Sequence, residues 1–240
     1  MPPRPGPYER YLPQIGCGLL LLAIAGMCFL PLIIVGGMRD ALEKLHLSPP
    51  AATFTLMAIF LGSLINLPLF RVNRGEPQAL PMSWIQTRQG WVPMERNRNQ
   101  TIVAVNVGGC IIPTALALYL SSYILRDVPQ AKLALGLAVL VNIAACYLLA
   151  RPLPGLGIAL PAFVPVVLAV GMAWLLLAGS QYREVRAPVA FIAGVAGPLI
   201  GADLLHLRRF QELSAGIISI GGAGTFDGIV VCGLLSAFLA

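Results

Sequence analysis

The sequence predicts an all-α membrane protein with about seven transmembrane helices. Three observations carry this. Only 11% of the 240 residues are charged and 58% are hydrophobic, whereas a soluble domain carries about 25% charged residues. Mean hydropathy is +0.82. And seven apolar windows of close to 20 residues, the length that crosses a core about 30 Å thick, follow one another along the chain.

The first window, Ile15–Met38, follows a tail holding Arg4 and Arg10. It is too long for a cleaved signal peptide and lacks a small-residue cleavage site, so it reads as a retained span. The second, Ala51–Phe70, ends on Asn66-Leu67-Pro68, where proline is expected to kink it. The loop Arg71–Gln100 sets Trp84 and Trp91 among arginines, as an interfacial flap on anionic headgroups would. The third window, Thr101–Leu125, carries Gly108, Gly109 and Pro113, and the fourth is Ala131–Ala150. The fifth, Gly157–Gly179, begins among Pro152, Pro154, Pro161 and Pro165, which points to a broken or re-entrant start. Ala187–Leu205 and Ala215–Leu239 complete the set.

The net charge of +6 does not point to nucleic acid, because the basic residues sit in short loops between windows. With the N-terminus inside, the cytoplasmic side holds Arg4, Arg10, Arg71, Arg74, Arg88, Arg96, Arg98, Arg151, Arg208 and Arg209. The other side holds Arg39, Lys44, Arg126, Lys132, Arg183 and Arg186. That excess predicts a multi-pass protein of the cell (inner) membrane with a cytoplasmic N-terminus. The five cysteines, Cys17, Cys28, Cys110, Cys146 and Cys232, fall inside windows without metal-type spacing and read as packing residues. No cofactor and no metal site is assigned.

Three short resemblances recur in order along the chain. Phe29–Ile34 matches Phe163–Leu168, Gly62–Phe70 matches Gly197–Leu205, and Asn106–Thr114 matches Ser219–Asp227. They read as a 3+1+3 parallel repeat with broken helices in a single membrane domain, 1–240. Residues 15–125 form the first three-span copy with its loop 71–100, 131–150 the linker span and 157–240 the second copy. Glycine and apolar bias is the competing explanation of the matches.

Ten acids are present, and only Asp203 and Asp227 fall within windows. A carboxylate near the bilayer centre costs roughly 2.5–3.5 kcal/mol on insertion scales, so each is a functional candidate, as a proton carrier or as half of a diaspartyl pair. Asp227 lies about 18 Å along a helix beginning at Ala215, near mid-membrane. Asp203 lies closer to the interface, where pairing with Arg208 or Arg209 is the plainer reading. His206, three residues after Asp203, would share its helix face, so a proton relay is one reading. A divalent cation is another, but the spacing is not sharp. Asn66, Asn106, Thr114, Ser219 and Thr225 add polar groups that suit a substrate-lined interior, although each alone is commonly an interhelical hydrogen bond. Gly221, Gly222, Gly224 and Gly228 each weaken a helix by about 1 kcal/mol relative to alanine, which favours unwound backbone beside Asp227. The plainer reading of Gly197-x-x-x-Gly201 and Gly224-x-x-x-Gly228 is close helix packing, and either reading brings spans 6 and 7 together.

"PLIGADLLHL" followed by "ISIGGAGTFDGI", with "NVGG" and "LPAF" upstream, resembles an uncharacterised family of prokaryotic integral membrane proteins, the domain of unknown function 1614. The likeness runs from about Ala51 onward. It implies a multi-span protein whose signature includes Asp203, His206 and Asp227, and it implies no activity. The residues themselves favour a small-solute or proton-coupled transporter whose partners are the lipid bilayer and a small solute or proton. An intramembrane diaspartyl peptidase is the alternative, although Phe226 stands where the GxGD motif has its second glycine. A non-catalytic membrane scaffold is the third reading.

Overall fold

The computed structural model describes residues 12–73, 83–87, 90–94, 100–153, 157–161, 163–211, 217–222 and 228–240. The chain is mostly helical, as its composition predicts, but four of the seven windows are part helix and part strand.

Helix α1, Leu12–Glu43, spans 32 residues and contains Pro31. Helix α2, Pro49–Gly62, opens on two prolines, whose missing N–H groups cost nothing in a first turn. It then stops, and Asn66–Asn73 continues as strand β1. The expected kink at Pro68 is therefore a change of structure, with the helix ending several residues earlier. Strands β2, Ser83–Thr87, and β3, Gly90–Met94, form an antiparallel hairpin inside the expected flap. Strand β4, Gln100–Asn106, replaces the first turns of the third window. A π-helical turn, Val107–Ile111, leads into α3, Ile112–Asp127.

Helix α4, Lys132–Leu149, matches its window closely. The proline-rich start of the fifth window is a small hairpin of β5, Arg151–Leu153, and β6, Gly157–Ala159, followed by α5, Phe163–Leu176. Helix α6, Arg183–Ala196, runs into a π-helical stretch, Gly197–Asp203, and then a 3₁₀ stretch, Leu204–Gln211. Strand β7, Ile217–Ile220, precedes α7, Gly228–Leu239, so the last window too is only partly helical.

Strands β1, β4 and β7 form one sheet with β4 in the middle. β4 is rich in Thr, Ile and Val, which fit a pleated surface. Pro68 lies in the edge strand beside a register shift between Pro68 and Phe70, where a missing N–H is tolerated. β1 runs antiparallel to β4, whereas β4 and β7 run parallel, pairing Ala104 with Ser219 and Val105 with Ile220. The spatial neighbours are therefore offset from the sequence match that set Asn106 against Ser219. The matched glycines Gly62 and Gly197 both sit where regular α-helix ends.

Helix α6 is the centre of the bundle, against α3, α4, α5 and α7, and Val185 through Val195 are all buried. Its alanines and glycines let neighbours approach closely, the usual basis of helix association in lipid. Phe191, Leu120 and Ile124 fill the core, but many other large apolar side chains point outward: Phe29, Ile33, Phe54, Leu118, Leu140, Leu148 and Leu175 are exposed. Soluble monomers rarely expose apolar surface on this scale, whereas lipid accepts it. Among the described residues, Val107–Asp127, Pro129–Leu149 and Ser180–Leu207 are long and apolar enough to cross a membrane. Helices α2, α5 and α7, at 14, 14 and 12 residues, rise only about 18–21 Å.

Candidate functional site

The chain leaves regular helix near the C-terminus of α2, before the π-turn of α3 and after β7, and these three points meet. Asn106 ties them together. It is 1% exposed. Its Nδ2 donates to the Ser63 carbonyl at 2.7 Å and to Asn66 Oδ1 at 3.1 Å, and its Oδ1 accepts from the Gly109 backbone N–H at 2.7 Å. That last bond caps the π-turn at its N-terminus, a position where asparagine is strongly preferred. Ser219 Oγ donates to Asn66 Oδ1 at 2.5 Å, so Asn66 collects donors from both halves of the chain. Gly221 adopts φ +75°, a conformation that glycine reaches without strain. Its carbonyl oxygen lies so close to Gly109 that a Cβ there would overlap it. Gly222 packs on Ser219 and Asn66.

Of the residues singled out from the sequence, Asn66, Asn106, Ser219, Gly221 and Gly222 thus form one polar junction. Thr114 lies in the first turn of α3, and its Oγ1 is buried with no hydrogen bond to a described residue. Gly228 is the exposed first residue of α7. Gly224, Thr225 and Asp227 lie outside the described residues.

A second cluster surrounds the π-helical stretch after α6. Gly197 and Gly201 pack against Asn142, Ile143 and Cys146 of α4, so this small-residue pair brings α6 to α4, not to α7 as expected. The α6–α7 approach is made by Gly194, against Cys232 and Ser236, and by Gly233, against Val195 and Phe191. Asn142 is fully buried and its Nδ2 donates to the carbonyls of Pro165 at 3.0 Å and Ala193 at 2.8 Å, joining α4 to α5 and α6. Asp203 is half-buried at the end of the π-stretch. It and Cys232 lie within electrostatic range of the Cys146 thiol. His206 is 3% exposed, its Nδ1 3.2 Å from the Gly201 carbonyl oxygen and its ring 4.9 Å from that of Tyr147. His206 lies in the 3₁₀ stretch that begins at Leu204, where residues three apart eclipse, and its ring turns back onto the Gly201 carbonyl.

Residues 60–239 match the sequence profile of a family described as Protein of unknown function (DUF1614). The chain belongs to this family. The DUF1614 match begins inside α2 and ends with α7, so it contains both the polar junction and the α4 cluster. No curated protein and no solved structure matches the chain.

Two features of this DUF1614 chain escaped the sequence reading. Arg186, counted there only as a loop charge, is 8% exposed. Its Nε donates to the Leu177 carbonyl at 2.6 Å and its Nη2 to those of Ala178 and Gly179, and its guanidinium lies 4.5 Å from the Trp174 ring centroid. His46 adopts φ +63°, lies 3.1 Å from the Glu184 carbonyl oxygen through Nε2 and packs on Tyr123. No local signal in the sequence marks Arg186 as held inside.

Proposed function

We propose that the chain is a multi-pass protein of the cell (inner) membrane, with a cytoplasmic N-terminus, that carries a small solute or protons across the bilayer. The polar junction carries this reading. Three segments depart from regular helix at one point and present amides and a hydroxyl to each other. Irregular backbone at membrane depth is tolerated where it is buried in protein or lines a wet cavity, and transporters place substrate sites at such breaks. The seven-span count rests on α2, α5 and α7 completing their crossings through the extended segments beside them. The parallel run of β4 and β7 fits two three-span copies of like orientation flanking α4. Asp227 follows the Gly221 turn closely in sequence and is the proposed proton-carrying acid, with Asp203 as the second.

The test is proton flux into liposomes holding the purified protein and a pH-sensitive dye. Flux above that of protein-free liposomes is expected, falling at least tenfold in Asp227→Asn and surviving in Gly136→Ala. Flux equal to that of empty liposomes, or unchanged in Asp227→Asn, removes the acid and the proton from the reading.

A further inference from the structure

Two cavities away from the polar junction meet at the opposite end of the bundle. One, of about 480 Å³, lies among the end of α1, the residues after it and the α5–α6 turn. Its wall sets Glu43 and Glu184 beside Lys44, Arg183 and Arg186, with half-exposed Trp174 at one side. The other, of about 490 Å³, is a groove between α1 and α7 lined by apolar residues, among them Ile34, Gly37, Met38, Leu234 and Phe238. Lys44 joins the two. It lines the charged cavity, its Nζ donates to the Phe238 carbonyl at 2.5 Å, and it sits 5.5 Å from the centroid of the Phe238 ring that walls the groove.

We propose that the pair is a binding site for one phospholipid whose headgroup joins a phosphate to a primary ammonium. The acyl chain fills the α1–α7 groove and the headgroup enters the charged cavity. Arg183 and Lys44 face the phosphate, while Glu184 accepts hydrogen bonds from the ammonium; Glu43, whose Oε1 accepts from Arg39 Nε at 2.8 Å, completes the acidic side of the wall. A headgroup with negative charge alone would set that charge against the Glu184 carboxylate. A quaternary ammonium has no N–H to give it. A tryptophan beside cations is also the usual furniture of the headgroup layer. Gly37 keeps the groove open: a Cβ there would meet Phe238 Cε2 only at 3.8 Å, so a larger side chain can enter the groove without disturbing the backbone. This site rests on the chain lying in a bilayer and is independent of transport.

The test offers the purified full-length protein mixed vesicles of dioleoyl phosphatidylethanolamine, phosphatidylglycerol and phosphatidylcholine, then counts retained lipid by native mass spectrometry. One phosphatidylethanolamine is expected, at least tenfold over phosphatidylcholine. Gly37→Leu, which also favours helix, and the exposed pair Arg183→Gln with Glu184→Gln should each cut retention about tenfold. Gly136→Ala, where nothing lies within 4 Å, should not. Equal retention of the three lipids, or retention unchanged in Gly37→Leu, overturns the site. So does free phosphoethanolamine binding as tightly as the lipid, which would assign the cavity to a soluble solute. Membrane residence is scored separately, by whether the protein stays in carbonate-washed membranes.

Discussion

Asn106 holds three partners with one amide, and losing it strands them together. In Asn106→Ala the Gly109 N–H and the Ser63 carbonyl are left inside the protein unpaired, at about 1–3 kcal/mol for each buried group that finds no substitute. We expect a loss of about 2 kcal/mol in thermal or denaturant unfolding in detergent, and a smaller loss for Ser219→Ala, whose partner Asn66 is exposed. Glycines divide just as sharply. Gly109→Ala drives a methyl into the Gly221 carbonyl and should destabilise by more than 2 kcal/mol, since backbone must move. Gly136→Ala, on an open face of α4, should be neutral or gain up to about 1 kcal/mol of helix stability. The junction was legible at this scale because an amide placed among apolar residues must find partners, and Asn66, Asn106 and Ser219 found one another. Arg186 was not legible. Counting loop charges assigns a cation to water, and nothing local in Arg183–Arg186 announces three carbonyls waiting for it.

At the scale of elements, the helices were read from hydropathy, which reports that a segment is apolar and not how its backbone is arranged. Windows over Asn66–Phe70, Thr101–Asn106 and Ile217–Ile220 are as apolar as their helical neighbours, yet all three pair as strands. The signals were present in the β-branched runs "TIVAV" and "IISI" and in the breakers beside them, but a twenty-residue average hides a run of five. Helix α4 was read correctly because no breaker interrupts it. The turn between α5 and α6 depends on one side chain. Arg186→Lys replaces a planar fork with a single ammonium that cannot reach the Leu177, Ala178 and Gly179 carbonyls together. We expect it to lower stability by about 1–3 kcal/mol, read as a fall in unfolding temperature in detergent. Arg186→Met, which keeps the length but none of the donors, should cost more.

Across the whole molecule, alanine and glycine crowd around α6, with Phe191, Leu42, Leu120 and Ile124 buried among the described residues, while other large apolar side chains stand exposed on the rim. The molecule also has two distinct ends. His46 touching Glu184 puts the α1–α2 and α5–α6 connections at one end, and α3, running from β4 to Asp127, carries the sheet to the other. Single-cysteine variants at Lys44 and Ser180 should therefore react with an impermeant maleimide from one face of the membrane, and one at Arg71 from the opposite face. Labelling of all three from the same face would contradict the crossing by α3. The sheet has a further consequence, in time. β4 leaves the ribosome roughly 115 residues before the parallel neighbour that completes it, a wait of about 6–23 s at ordinary elongation rates. Throughout that interval one side of β4 has an unfilled ladder, so nascent chains stalled short of Ile217 should be the species that quality-control proteases and insertion chaperones collect.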